Sequence, residues 1–472
     1  MTIQEFVVKH KDEMYSDLVE FINIPTVLDE TTVTSEHPFG AGPYRGLEWF
    51  LNKASSFGFE TRNVDGYAGE ITAGTGDFMI GILGHSDVVS EGEGWLTDPF
   101  QASIEDGKII GRGSSDDKGP ILSCLYGMRY LSENNLIPEG SCLRMIVGSD
   151  EEELWRCIDY YKEHVDRLPD YSIVPDGYFP MIFCEKGLFD FDMTADLAVC
   201  EDAKVIIREL RGGNGRNIVP GKAKAVLDAD KKILEDMRQI AAEEDGISTT
   251  ISGSVLKIQA EGKSTHAMAP ENGKSAISML MNVLEKIGMR YSLSIGEFIH
   301  LYQKYVGDDY HAGKFGCCWE DELSGKTTLN VGIMEMNGSV VTMKANLRYP
   351  ATLEKDFVQK AMAKTMSDAG FHYDEAAYLP PVYIDPESEF MKILMEVYIR
   401  DTGDTEHAPF AIGGATYARA LKNAVAFGAL FPYETELAHE ANEYLLADSY
   451  EKMTVIYTDA LKALLNMEVK HV

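Results

Sequence analysis

The sequence predicts an α/β protein in which a catalytic domain, built on a mostly parallel central sheet with helices on both faces, is interrupted by an inserted α+β domain. Three observations predict it. Short, almost wholly apolar runs alternate with helix-length segments early and late in the chain, the pattern of strands buried on both faces between crossover helices. The middle of the chain instead carries strands that alternate apolar and polar residues, as strands with one solvated face do. The length, 472 residues, is also too great for one core.

In chain order, Phe6, Met14, Leu18, Phe21 and Ile22 fall on one stripe of a first helix, which Pro25 stops. Leu47, Phe50, Leu51 and Ala54 mark a second helix, ended by Gly58. Residues 78–83, 142–147 and Tyr171–Val174 read as buried strands, with a helix over 121–131 after Pro120. After Gly187 the runs 189–194, 254–259 and 340–348 read as one-face strands, among helical patterns at 222–243 and 274–289. From about Val382 the buried style returns, helical over 390–398 and apolar over 425–431. The expected domains are therefore 1–187 with 383–472, and an insertion over 188–382.

Acidic residues number 76 against 43 basic ones, a formal charge of −33. Such a surface repels phosphate backbones and anionic lipid, so neither nucleic acid nor a membrane surface is an expected partner. No apolar run reaches the roughly 20 residues that span a bilayer. Lys9, Lys11, Asp12 and Glu13 interrupt any signal-peptide pattern. Seven scattered cysteines without a CxxC pair point to a reducing cytoplasm.

Chemistry-bearing residues gather where strands end, which is where open parallel sheets bind ligands. Gly84-His85-Ser86-Asp87 follows the first buried strand, and a carboxylate two residues after an imidazole can buttress it as a metal ligand. Gly111-Arg112-Gly113-Ser114-Ser115-Asp116-Asp117-Lys118-Gly119-Pro120 sets two adjacent carboxylates in a turn, costly unless a cation neutralises them. Ser149-Asp150-Glu151-Glu152-Glu153 follows the next strand, Asp176 the one after, and His439 stands late in the chain. Singly, each has an ordinary reading: a structural histidine, an acidic turn, a helix start. Together, His85, Asp116, Glu152, Asp176 and His439 supply nitrogen and oxygen donors that suit zinc, manganese or cobalt. Five protein ligands exceed the usual three of a catalytic zinc. If Asp116 bridges, each of two metals gains three, and Glu151 is left as general base.

These motifs, with Asp176-Gly177-Tyr178-Phe179-Pro180 and His439-Glu440-Ala441-Asn442-Glu443, resemble the dinuclear zinc metallopeptidases that include aminoacylase, carnosinase and carboxypeptidase G. The nearest likeness is to the bacterial broad-specificity dipeptidases of the peptidase V type. The resemblance implies a zinc-peptidase-like catalytic domain and an inserted lid domain. It implies that His85, Asp116 and Asp176 hold one metal and that Asp116, Glu152 and His439 hold the other. Asp87 would orient His85, Glu151 would shuttle the proton, and the Asp116–Asp117 peptide would be cis. Asn217, His266 and Arg348 match substrate-contacting positions, and Gly413, Gly414 and Thr416 belong to the loop that receives the substrate carboxylate. Ala415 departs from a third glycine, and Glu153-Leu154 from a small residue and glycine.

The expectation is a cytoplasmic, monomeric hydrolase of dipeptides with a free C-terminal carboxylate, using two divalent ions, zinc foremost and manganese or cobalt as alternatives. The rivals are an N-acyl amino acid deacylase or carboxypeptidase with the same centre, and a binding protein that has kept the fold without catalysis.

Overall fold

Ile3–Ile22 is helical because both its start and its inner face are specified locally. Thr2 Oγ accepts from the Glu5 N–H at 3.2 Å while the Glu5 carboxylate accepts from the Thr2 N–H at 2.8 Å, a reciprocal cap. Phe6, Met14, Leu18, Phe21 and Ile22 are all fully buried on its inner side. This helix opens the first of two units in the computed structural model, which describes residues 1–467 apart from 199 and 201. The first unit comprises Met1–Phe183, Ile384–Phe410 and the described residues from Thr416 on; the second comprises Cys184–Tyr383 with Ala411–Ala415.

The first unit is built on a sheet whose centre is parallel and whose flanks are not. Ser141–Gly148, Phe78–His85, Tyr171–Val174 and Ala424–Ala426 lie side by side in that order and run parallel. The hairpin Glu60–Val64 and Ala68–Gly74 extends one side antiparallel, and Ile182 pairs antiparallel with Ala426 on the other. The helix Lys118–Glu133 is buried on every side from Lys118 to Met128, as a helix sandwiched within a core must be. Gly127 lets the helix Ala447–Leu465 approach it: a Cβ there would come within 2.6 Å of Thr458 Oγ1.

The second unit is an eight-stranded antiparallel sheet. Its order is Ile247–Ser252, Val255–Glu261, Lys222–Ala229, Val205–Gly212, Thr328–Asn337, Val340–Tyr349, Gly187–Asp196, His372–Leu379. Its core includes residues from the helices Lys231–Ala241, Ala276–Gly288, Gly296–Tyr305 and Lys355–Ala369. One expectation is corrected here. Residues 222–243 are not one helix: Lys222–Ala229 is a strand and only Lys231–Ala241 is helical. Lysine and alanine favour a helix locally, but Ala223, Ala225 and Leu227 alternate inward while the strand pairs on both edges. Tertiary pairing overrides propensity. Among the described residues no helix is long and apolar enough to cross a membrane.

Within the first unit, chain segments far apart in sequence meet at Phe179. Its ring lies 4.6 Å from that of Phe431, 5.3 Å from Phe427, 5.5 Å from Tyr398 and 5.8 Å from Tyr457. Phe179→Ala should lower the unfolding free energy of this unit by about 3–5 kcal/mol, the usual cost of emptying an aromatic core site. Urea denaturation reads this directly; a loss below about 1 kcal/mol would mean that the rings do not knit the segments together.

Candidate metal centre

Three of the strands that form the parallel centre of the sheet deliver the first part of the site. His85 ends the strand Phe78–His85 and pairs in register with Gly148, so Glu151 and Glu152 follow at the level where His85 stops. Asp176 follows Tyr171–Val174. Gly84 is required where it stands, because a Cβ would meet Asp117 Oδ2 at 2.4 Å. That oxygen accepts the His85 N–H at 3.2 Å. The Asp116–Asp117 peptide is cis, and Asp117 precedes the helix Lys118–Glu133.

The two carboxylate oxygens of Asp116 face different imidazoles. Oδ1 lies 3.2 Å from His85 Nε2 and Oδ2 lies 3.1 Å from His439 Nε2. His439 Nε2 is also 3.0 Å from Glu152 Oε2, and His85 Nε2 is 3.9 Å from Asp176 Oδ2. Donor atoms of His85, Asp116 and Glu152 lie within 4.8 Å of one another, and so do those of His85, Glu151 and Asp176. All five residues expected to hold metal are thus brought together, and Glu151 stands among them.

Asp87 meets His85 differently from the sequence reading. His85 Nδ1 is 3.0 Å from the Asp87 main-chain carbonyl and 3.6 Å from its carboxylate. The Asp87 carboxylate instead accepts the Glu152 N–H at 3.1 Å, orienting the acidic loop. That loop is braced again by Asp150, which takes both Arg156 Nε (2.7 Å) and Nη2 (2.6 Å). Glu153 and Leu154, the departures noted in the sequence, are exposed.

Charge defines what this cluster can hold. Burial pushes the Glu151 and Glu152 carboxyls above their usual range, and burial together with the Asp116 charge raises Asp176 to about 7. Hydrogen bonds to Asp116 and Glu152 raise His439 to about 11. Burial opposes charge on His85, yet the Asp116 and Asp87 carboxylates beside it lift its proton affinity well above the ordinary value. Burial also works against the Asp116 carboxylate, but hydrogen bonds from His439 and His85 hold it below the usual range. Four carboxylates against two imidazoles is an excess of negative charge that divalent cations relieve, and the donors are nitrogen and oxygen without thiolate. The residues fit a metal pair.

Sequence reasoning gave no role to Glu443 or Arg112. Glu443 is fully buried and its carboxylate accepts from Arg112 Nη1 (2.8 Å) and the N–H groups of Gly113 (3.0 Å), Ser115 (2.9 Å) and Asp116 (3.2 Å). The only sequence signal was an acid four residues after His439.

The second unit carries Asn217, His266, Arg348, Gly413 and Gly414, whereas Thr416 falls in the first. The loop with Asn217 and the segment with His266 are stitched by Ala267 N–H to Asn217 O (2.8 Å) and Val219 N–H to Thr265 O (2.9 Å). Arg348 is buried; its Nε donates to Asn346 Oδ1 at 2.9 Å and its Nη1 to the Gly413 carbonyl at 2.6 Å. Ala415, the third departure, is exposed.

Comparison with known proteins places this arrangement. Residues 81–463 match peptidase family M20/M25/M40. A Bacillus subtilis (strain 168) protein named "Putative dipeptidase YtjP" is 34% identical over 461 residues, covering 96% of this chain and 98% of its own. A Staphylococcus epidermidis protein named "Putative dipeptidase" is 32% identical over 470 residues, covering 98% and 99%. Among solved structures, human carnosine dipeptidase 1 superposes with a TM-score of 0.60 at 15% identity over 98% of each chain. An M20 family metallo-carboxypeptidase from Sulfolobus solfataricus gives 0.59 at 17% identity, over 96% of this chain and 100% of that one. At such identities these two likenesses show the fold.

One consequence of the charge balance is testable with chelator. Asp176 carries a proton up to about pH 7 in the folded metal-free chain but only to its ordinary value of 3.8 when unfolded. Stability therefore falls as pH rises from one value to the other. Asp176→Asn removes this loss, so the metal-free variant should melt above the wild type at pH 8, with the gap closing below pH 4. Equal melting temperatures at pH 8 would show that Asp176 is not under charge strain.

Proposed function

This chain belongs to peptidase family M20/M25/M40 and is a peptide hydrolase, and from that premise we propose that it is a dinuclear metal-dependent dipeptidase acting on dipeptides with a free C-terminal carboxylate. The observation that carries the metal part is Asp116, whose two oxygens address His85 and His439 separately. On this reading His85, Asp116 and Asp176 hold one ion and Asp116, Glu152 and His439 the other, with zinc the first choice over manganese or cobalt. When bound, such ions make water a nucleophile at neutral pH and polarise the amide carbonyl. Glu151 takes the water proton and passes it to the leaving amine. Asp87 fixes His85 through its main-chain carbonyl and the acidic loop through its carboxylate.

On the second unit His266 donates to the developing oxyanion, and Asn217 contacts substrate beside it. Arg348, with Gly413 and Gly414, binds the substrate carboxylate; its guanidinium is held in place by Asn346 and the Gly413 carbonyl. Two relatives named as dipeptidases support the substrate class. We propose the cytoplasm as its compartment, which seven scattered cysteines without a CxxC pair suit, and a monomer as the favoured oligomeric state.

The test is an assay of one dipeptide beside its N-acetyl form and its C-terminal amide, in chelator and after adding zinc, manganese or cobalt. The free dipeptide should be the best substrate and chelator should abolish turnover; preference for the N-acetyl form would make this a deacylase. Glu151→Gln should remove activity, by about 10²-fold or more, while two metals per chain remain. Loss of a metal from that variant would make Glu151 a ligand. His266→Ala should lower kcat by about 10²–10³ with little change in KM. Arg348→Ala should chiefly raise KM, and unimpaired cleavage of the dipeptide amide would remove Arg348 from carboxylate binding.

A further inference from the structure

We propose that Glu443 is a positioning residue for the metal centre, setting through one buried carboxylate the main chain that carries Asp116 and, through Arg112, the loop that carries His439. It rests on the two-metal reading above but concerns a residue that the ligand set does not include.

The two oxygens of Glu443 divide their work. Oε2 accepts Arg112 Nη1 at 2.8 Å and the Gly113 N–H at 3.0 Å. Oε1 accepts the Ser115 N–H and hydroxyl, both at 2.9 Å, and the Asp116 N–H at 3.2 Å. Five donors occupy this carboxylate, so it acts on the site through the loop. Arg112, itself 1% exposed, then reaches the His439 carbonyl through Nη2 at 3.3 Å. The Gly111 N–H returns a bond to the Glu443 main-chain carbonyl at 3.0 Å. His439 and Glu443 lie more than 300 residues from Asp116, and these bonds join the two loops just beyond the paired strands Lys108–Ile110 and Tyr444–Leu446. A carboxylate is the only side chain of this size that presents acceptors at both ends. Glutamine would turn an NH2 group toward N–H donors whichever way it flipped. Because Asp116 faces both imidazoles, drift of its main chain disturbs both halves of the centre at once. Partners of this kind typically change metal affinity by about 10–100-fold.

The experiment uses the full chain, with Zn2+ as probe in competition against a chromophoric chelator, and amide hydrogen exchange of the segment 113–116 in the metal-free protein. Glu443→Gln should weaken Zn2+ binding by about 10–100-fold and strip exchange protection from those amides. Removing one member of a buried pair also leaves Arg112 charged and alone, which can unfold the chain. The companion is therefore R112M/E443Q, which removes both charges at similar volume. If Glu443 positions the loop, the double variant melts close to the wild type yet binds Zn2+ weakly and leaves the segment unprotected. If the double variant binds Zn2+ as tightly as wild type, the pair serves stability alone and the proposal is overturned. A wild-type chain that takes up no Zn2+ would overturn the metal reading instead, and retained protection in the double variant would still overturn this one.

Discussion

The geometry of the site depends on one buried ion pair, Arg112 with Glu443, neither more than 1% exposed. Charges so placed cost several kcal/mol each in lost hydration, which hydrogen bonds must offset. Here the pair is bonded into the chain itself: the carboxylate gathers the Gly113, Ser115 and Asp116 N–H groups, and the guanidinium also meets the carbonyls of Ser90, Glu91 and His439. Two neighbouring loops and a third more than 300 residues away are pinned to a common centre. Other residues extend the same logic. Lys118, fully buried, donates to the Phe21 and Ile24 carbonyls at 3.0 and 2.8 Å, so the helix that starts after Asp117 is tied to the end of the first helix.

The sheet supplies the rest. His85 and Gly148 end level, and Tyr171–Val174, whose Ile173 pairs with Ile82, stops about two residues short of them, so residues just past all three strand ends converge. The carboxylates delivered there repel one another and sit partly or wholly out of water. That arrangement is unfavourable in a bare protein and favourable around cations, which is why the same residues that strain the metal-free chain suit it for hydrolytic chemistry. At Asp176 and Glu152 burial and neighbouring charge work against the ionised carboxylate, a cost that bound cations would offset on the proposed reading.

The fold class was legible because the strands at 78–83, 142–147 and Tyr171–Val174 are almost wholly apolar, with Arg144 and Ser172 as polar interruptions, and few other environments than a doubly covered sheet accept such runs. Lys222–Ala229 was misread because its lysines and alanines carry helix propensity, while its pairing partners lie elsewhere in the chain. At the site, residue types and their strand-end positions were visible as motifs. What each atom touches was not. That His85 uses the main-chain carbonyl of Asp87, freeing the carboxylate for Glu152, depends on a turn no spacing rule encodes. Glu443 looked like one more acid in an acidic chain, since its role comes from burial against a loop more than 300 residues earlier.

On the proposed reading Asp116 would stand between two metal ions. Crystals of the full chain grown with zinc, measured by anomalous scattering at the zinc absorption edge, test it most directly. Two anomalous peaks about 3.5–4 Å apart are expected, one on each side of the Asp116 carboxylate, toward His85 and toward His439. A single peak, or two peaks that leave Asp116 outside both coordination spheres, would contradict it.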